Sequence, residues 1–380
     1  MKAWAAGYCA KPVRRIASLC LVLFTSSLLL LACGDPDPIK IGFIGGLSGR
    51  SADIGEDSRN AVQLAVANAN RAGGIDGRMI ELLVRDDAGD PDIGAEAVRD
   101  LHAAGVAAII GPNISSIGAG MLPVVNELQV ITISPTVSSL VLAELDDYFF
   151  RINWTTRDNA HIYADHYFER GIRRVAAAID NNNRVFSESW LKEFTDEFEK
   201  RGGEVVASDL FDAKAERGYS DTAQKLVDSN VEAILIIANS IDVAQMAQQI
   251  RKLDQDILMI AAEWAASERL LFLGGSAIEG LEMVQSYDRN AQSDIYTRFK
   301  TAYSSQFQRE PGYAGVAAHD AATVLFQALA AHSKGKPLKD ALLALQPAQG
   351  LQQQIKFNAY GDAQRQAFFV VIEGGTFKAL

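Results

Sequence analysis

Two short stretches, Ile110-Gly-Pro-Asn-Ile-Ser-Ser116 and Ile133-Ser-Pro-Thr-Val-Ser-Ser139, are the most informative part of the chain. Each follows an apolar, β-branched run (residues 106–110 and 130–133) and ends in paired hydroxyls where a helix can begin. A strand that stops at a serine-rich helix start presents unpaired backbone N–H groups, a positive dipole end and hydroxyl donors. Taken alone, each stretch is better explained as a helix cap, a common use of serine. Side by side, the two ends would suit an anion such as a carboxylate.

The rest of the chain alternates apolar runs with segments of helical spacing. The predicted strands are residues 39–44, 79–84, 106–110, 130–134, 175–180, 205–209, 233–238, 257–262, 281–284, 355–358 and 368–373. The predicted helices are residues 55–71, 91–104, 117–128, 188–201, 220–229, 243–253, 293–308 and 315–331. This order predicts an α/β protein whose parallel sheets carry helices on both faces. The pattern restarts after residue 154, which indicates a second unit of similar size.

The N-terminus has the properties of an export signal. Residues 1–32 combine a basic start with no acidic residue and an apolar stretch that ends Leu30-Leu31-Ala32-Cys33. This ending resembles the bacterial lipobox, in which the cysteine becomes the lipidated first residue. A transmembrane helix and a plain signal with a chance cysteine are the alternatives, although the run is short for a span. We expect a lipoprotein signal peptide over 1–32, lipidation at Cys33 and a tether over 33–38.

Charge and cysteine content narrow the class of protein. The chain has a formal net charge of −11, and residues 1–32 carry four basic residues and no acidic one, so the remainder is more negative. An acidic exported protein is a poor candidate for binding nucleic acid. Cys9 and Cys20 leave with the signal, so Cys33 has no partner for an internal disulfide. We expect a periplasmic or cell-surface protein, anchored to the membrane by lipid.

Motifs of common enzymes and metal sites are missing from the sequence. The acidic cluster in residues 86–92 lacks EF-hand spacing, and His161 and His166 are not spaced as a helical metal pair. The glycines of residues 42–49 do not form Gly-x-Gly-x-x-Gly, and no Gly-x-Ser-x-Gly nucleophile turn occurs. We therefore expect a binding protein with no cofactor and no metal, and an enzyme remains a remote alternative.

The ordered motifs resemble the leucine/isoleucine/valine-binding protein family, the type I periplasmic binding proteins of ABC transporters. The resemblance runs from about Ile39 to the C-terminus. It rests on residues 41–49, 68–75, 86–91, 111–116, 133–135, 150–151, 318–321 and 361–362. It implies two Rossmann-like lobes joined by a three-crossing hinge, with the ligand between them. Lobe one would comprise residues 39–153 and 286–350, and lobe two residues 154–285 and 351–380.

The resemblance also implies residue roles in lobe one. Amino-acid-binding members hold the α-carboxylate through a serine after one loop and a backbone-plus-hydroxyl pair after the next. The matching positions are Ser115, with Ser116 beside it, then the backbone N–H of Thr136, and Ser138. These positions lie in the two stretches that the residues alone mark as helix starts.

In lobe two, an acid of such members receives the α-ammonium, and Glu263 aligns with it. Glu263 follows an apolar strand, where a carboxylate needs a partner. The alternative is a surface residue that opens a helix at Ser267. Phe186 aligns with an aromatic that closes over the ligand, and packing against Trp190 explains it equally well.

Three further residues complete the expected pocket. Asn239 follows a strand and aligns with another cleft contact, while Ile54 is expected to touch the ligand side chain. Trp264 replaces a small residue common in the family, and it either narrows the pocket or faces away. The polar loop 181–184 is placed to contact a polar side chain.

The resemblance implies a monomer that captures an amino acid, or a related small carboxylate, and delivers it to an ABC permease. A sensory protein that binds amino acids, amides or aromatic acids and signals to a receptor is the alternative. The sequence does not distinguish transport from sensing.

Overall fold

The computed structural model describes residues 1–4, 36–213, 215, 218–332, 335–345 and 347–380. Most of the expected signal peptide lies outside these ranges, as does Cys33. The lipoprotein interpretation therefore stays a prediction.

The described residues form fourteen strands and eleven α-helices. The strands are β1 (Ile39–Gly45), β2 (Ile80–Asp86), β3 (Ala108–Ile110), β4 (Thr132–Ser134), β5 (Phe149–Arg151), β6 (Arg174–Asp180), β7 (Glu204–Phe211), β8 (Ala233–Ile237), β9 (Leu258–Ala261), β10 (Glu282–Gln285), β11 (Ala348–Gln349), β12 (Gln354–Ile355), β13 (Phe368–Glu373) and β14 (Thr376–Ala379). The helices are α1 (Ala52–Arg71), α2 (Pro91–Ala103), α3 (Ser115–Leu128), α4 (Thr156–Glu169), α5 (Arg184–Lys200), α6 (Gly218–Val227), α7 (Ser240–Leu253), α8 (Glu268–Gly274), α9 (Asp294–Phe307), α10 (Tyr313–His332) and α11 (Leu338–Leu343).

The strands build two separate main sheets. The first has the order β2-β1-β3-β4-β5, and all of its strands are parallel. The second has the order β14-β13-β10-β9-β8-β6-β7, parallel from β10 to β7, with β13 and β14 added antiparallel at one edge. The expected α/β fold with parallel sheets is confirmed. In both sheets the strand order reverses beside the first strand (β1 and β6), and such a switch point opens a crevice at the strands' carboxyl ends.

The chain passes between the two sheets three times. It leaves the first sheet after β5, leaves the second after β10 and returns to the second after β12. The second passage sends α9 and α10 back to the first sheet, where both pack against α1. Each half of the molecule is therefore built from two separate parts of the chain.

Local sequence signals explain where most elements begin. Asp90 caps α2 by accepting the N–H groups of Asp92 and Ile93 at 2.8 and 3.4 Å, and Pro91 occupies the first turn. Helix α1 starts at Ala52, three residues earlier than the apolar spacing indicates, so Ile54 lies buried in its first turn. The strand expected over residues 355–358 is only two residues long, β12 (Gln354–Ile355).

Two buried ion pairs lie where the chain crosses between the sheets. Arg151, fully buried at the end of β5, donates from Nε and Nη2 to Asp362 Oδ1 at 2.9 and 2.7 Å. Arg365 donates from Nη2 to Asp320 Oδ2 at 2.8 Å, and both side chains are almost completely buried. Arg151 and Asp362 come from two different crossings. Arg365 comes from a crossing and Asp320 from α10.

Among the described residues, one helix is long and apolar enough to cross a membrane, judged by its length and composition alone. It is α10, and two thirds of its apolar window (67%) is buried inside the protein. Its packing against α1 identifies it as a core helix.

We expect Asp362→Ala to lower the free energy of unfolding by about 3–5 kcal/mol, because it leaves the Arg151 guanidinium buried without its counter-ion. Chemical denaturation followed by circular dichroism measures the change. The exposed pair Arg99–Glu127, with N and O 3.2 Å apart, supplies the matched control. Glu127→Ala should cost at most about 1 kcal/mol. Equal losses in the two variants would contradict a special role for the buried pair.

Candidate functional site

Six of the residues predicted to bind ligand line one small cavity between the two halves of the molecule. They are Ser115, Thr136, Ser138, Phe186, Glu263 and Trp264. The cavity has a volume of about 30 Å³. This is well below the several hundred Å³ of ordinary ligand pockets, so the cleft is nearly shut.

The two serine-rich stretches meet at one wall of this cavity. Ser115 begins α3, and its Oγ accepts the backbone N–H groups of Ser138 and Ser139, both at 3.4 Å. Ile114 precedes the helix and supplies no side-chain cap. The hydroxyl proton of Ser115 stays available to a ligand, and the positive end of the α3 dipole faces this region.

Asn113 and Thr136 tie the same two loops together. Thr136 Oγ1 donates to the Asn113 carbonyl at 2.7 Å, and Asn113 Nδ2 donates to Thr136 Oγ1 at 3.2 Å and to Ser58 Oγ at 2.7 Å. The arrangement leaves Asn113 Oδ1 as a buried acceptor without a partner among the described residues.

Glu263 comes from the other half of the molecule. A 3-10 turn (Glu263–Ala265) follows β9 and brings the side chain to the cavity, where it is 5% exposed. One carboxylate oxygen accepts the backbone N–H of Ser286, and Oε2 has no partner within hydrogen-bond geometry among the described residues. Burial raises the pKa of Glu263 to about 7, although Ser286, Arg365 and Asn153 oppose the shift. A cation placed beside Oε2 would restore the ionised form.

Phe186 and Trp264 form an aromatic pair on the same side as Glu263. Their ring centroids lie 5.7 Å apart with planes at 78°, an edge-to-face contact. Trp264 is 7% exposed and lines the cavity, so it narrows the pocket. Its indole Nε1 has no partner among the described residues.

Three predicted residues lie elsewhere. Asn239 caps α7, with Oδ1 accepting the N–H groups of Ile241 and Asp242 at 3.0 and 3.2 Å, so its acceptor is already used. Ile54 lines a neighbouring cavity of about 270 Å³, which shares Tyr313 with the smaller one. Ser116 does not line the cavity.

Ser116 instead makes a contact across the cleft. Its N–H and its hydroxyl both donate to Asn183 Oδ1 at 3.1 Å. Asn183 belongs to the polar loop 181–184, and within that loop it alone is buried. Through Asn183, the loop 181–184 therefore contacts the opposite wall of the cleft.

Further contacts close the cleft along its other rim. Asp53 of α1 accepts the hydroxyls of Ser240 and Ser267 at 2.8 and 2.6 Å. Arg50 forms an ion pair with Asp242. The two halves thus hold each other through their own side chains.

Sequence reasoning missed five lining residues: Asn113, Asn153, Trp154, Asn159 and Tyr313. Asn113 lies inside a quoted stretch and Asn153 follows β5, so the position of polar residues after strand ends was a usable signal. Asn159 lies within α4 and Tyr313 begins α10, and nothing local marks either.

In the acidic cluster of residues 86–92, carboxylates accept hydrogen bonds from backbone N–H groups and are not arranged as metal ligands. Asp86 Oδ1 accepts the N–H groups of Leu47 and Ala88, both at 2.8 Å, and Asp90 caps α2. In the part of the chain that the structure describes, no group of three or more His, Cys, Asp or Glu residues is arranged to hold a metal ion.

Comparison with known proteins gives consistent relatives. The Leu/Ile/Val-binding protein of Escherichia coli K12 is 23% identical over 273 residues, which cover 71% of this chain and 72% of the relative. The Streptococcus pneumoniae branched-chain amino acid transporter substrate-binding protein LivJ, solved with isoleucine, superposes with a TM-score of 0.82 at 22% identity, covering 90% of this chain and 98% of that one. An R. palustris ABC transporter solute-binding protein solved with benzoate has a TM-score of 0.81 at 17% identity, covering 90% and 95%.

These likenesses identify the architecture as that of type I periplasmic binding proteins. The family model described as periplasmic binding protein matches residues 38–376, which is nearly the whole described fold. Both the family and the fold are those of binding proteins. The chain therefore belongs to the periplasmic binding protein family.

Proposed function

We propose that the protein captures an α-amino acid, or a closely related small carboxylate, in the interlobe cavity and delivers it to an ABC permease. The observation that carries this proposal is the pairing of opposite chemistries across the cavity. One wall offers the start of α3 and the hydroxyls of Ser115 and Ser138, and the other offers the buried carboxylate of Glu263. A ligand with a carboxylate and an ammonium satisfies both.

The proposed lobes follow the two sheets. Lobe one comprises residues 39–153 and 286–350, and lobe two comprises residues 154–285 and 351–380. The strand orders and the three passages between the sheets support this division. The hinge lies at these passages, and closure brings Glu263 and Phe186 towards the α3 wall.

The proposed mechanism is capture by closure. The open lobe one binds the carboxylate first, and lobe two then closes over the ammonium and expels water, which strengthens each polar contact. The ligand shifts the open–closed balance only by its extra affinity for the closed form. The permease would then recognise the closed surface. The binding step needs donors and acceptors and no nucleophile.

The Leu/Ile/Val-binding relative and the isoleucine complex support an amino acid, and the benzoate complex of one structural neighbour supports an acid without an amine as the second candidate. The buried carboxylate of Glu263 favours the first. With benzoate bound, the Glu263 carboxylate would face an uncharged ring and would have no cation as a partner.

A thermal-shift screen of the purified protein from Gly34 onward tests the function. The panel comprises L-amino acids, amides and aromatic acids. A ligand at 100 times its dissociation constant stabilises the native state by about 2.7 kcal/mol, an easily measured shift. We expect shifts with amino acids. Shifts confined to acids without an amine would contradict the role proposed for Glu263.

The raised pKa of Glu263, about 7, predicts a pH dependence of binding. The ammonium needs the ionised carboxylate, so protonation of the free protein competes with the ligand below this pKa. The dissociation constant measured by calorimetry should be constant between about pH 8 and pH 9, where the carboxylate is ionised and the ammonium still protonated, and should rise about tenfold per pH unit well below pH 7. Glu263→Gln should bind weakly and lose this pH dependence. A wild-type affinity that stays flat from pH 8 to pH 5 would remove Glu263 from the site.

The proposed anchor is tested by replacing Cys33, the residue expected to carry the lipid. Cys33→Ser should move the protein from the membrane fraction to the soluble fraction, because the acyl chains provide the only proposed attachment. Cys20→Ser, within the same signal, is the matched control and should leave the protein in the membrane. Retention of the Cys33 variant in the membrane would refute the lipobox interpretation.

A further inference from the structure

Four buried polar atoms on the walls of the small cavity lack a hydrogen bond within the described part of the chain. Two are acceptors, Asn113 Oδ1 and Glu263 Oε2, and two are donors, Asn159 Nδ2 and Trp264 Nε1. Buried polar atoms are nearly always paired, because leaving one unpaired is costly. The four atoms therefore describe the hydrogen-bonding pattern of what the cavity binds.

The orientations of the two asparagines are fixed by their other bonds. Asn159 Oδ1 accepts the indole N–H of Trp190 at 2.6 Å, and turning the amide round would set donor against donor. Thr136 gives its hydroxyl proton to the Asn113 carbonyl, so the group that contacts Thr136 Oγ1 must be the donor Nδ2. The unpaired atoms are thus a true donor on Asn159 and a true acceptor on Asn113.

Glu263 Oε2 matches the α-ammonium group, and the two donors are more than the α-carboxylate needs. The carboxylate already has the Ser115 hydroxyl and the start of α3 on its own wall. Asn159 and Trp264 instead lie on α4 and on the turn after β9, which belong to the other half of the molecule. Their donors are left for an acceptor on the ligand's side chain.

The position of Trp264 leads to the same class of ligand. Trp264 lines the cavity, packs edge-to-face against Phe186 and narrows the pocket. A branched aliphatic side chain would leave the donors of Trp264 and Asn159 unpaired.

We propose that Trp264, together with Asn159, selects a small amino acid whose side chain carries a hydrogen-bond acceptor, and disfavours its aliphatic isosteres. This inference rests on the proposed function, the binding of α-amino acids. Trp264 contributes the N–H that distinguishes a hydroxyl or amide from a methyl group of the same shape.

Isosteric pairs of ligands test the inference by calorimetry on the purified mature protein. L-threonine and L-valine have the same shape, and L-asparagine and L-leucine nearly so. The polar member of each pair should bind at least about tenfold more tightly, because the aliphatic member leaves a buried donor unpaired.

Trp264→Phe removes the N–H and keeps an aromatic ring against Phe186. The preference for threonine over valine should fall about fivefold or more, because the variant has no N–H for threonine to pair with or for valine to leave unpaired. Phe186→Leu is the matched control, since it loosens the packing and keeps the indole N–H. It should weaken both ligands alike and preserve their ratio.

The outcomes separate this inference from the proposed function. Valine binding as tightly as threonine, or an unchanged preference in Trp264→Phe, would overturn the inference while amino-acid binding still stands. Failure to bind any amino acid, with the protein folded by circular dichroism, would overturn both.

Discussion

The buried ion pair between Arg151 and Asp362 connects two passages between the sheets to the small cavity. Arg151 ends β5 at the first passage between the sheets, and its backbone also bonds to Gly361 and Ala363 of the third passage at 2.9 and 3.1 Å. Its Nη1 donates to the Ser139 carbonyl at 2.9 Å, next to Ser138 in the cavity wall. One guanidinium therefore holds two crossings together and positions the loop after β4. A buried charge of this kind is tolerated only because every one of these groups is in place.

The chemistry of the site depends on two sheets whose parallel strands end at one crevice. Both sheets end their strands towards the same crevice, so the two halves contribute opposite features to one small volume. The half that carries α3 supplies N–H groups, hydroxyls and a helix dipole, whereas the half that carries β9 supplies a buried carboxylate and an aromatic pair. Neither set makes a complete site alone.

The fold could be predicted from the sequence because strand–helix alternation is a repeated, local signal. Ser115 and Ser138 could be placed because the carboxyl ends of neighbouring parallel strands meet. The positions of Ile54 and Asn239 were harder to predict. Ile54 depends on a helix that starts about one turn earlier than the apolar spacing indicates, and the side chain of Asn239 caps a helix. Asn159 and Trp264 depend on the approach of distant segments. Only the packed structure reveals that their donors have no partner.

The contacts that join the two halves have a kinetic consequence. Asp53 with Ser240 and Ser267, Ser116 with Asn183, and Arg50 with Asp242 connect the two rims of the closed cleft directly. A solute outside can reach the cavity only in the interval when these bonds are broken. Capture is then gated, so the observed association rate levels off at the opening rate as the solute concentration rises. Under the proposed function, a transporter would receive its cargo at a pace set by this rim of hydrogen bonds as much as by the abundance of the solute.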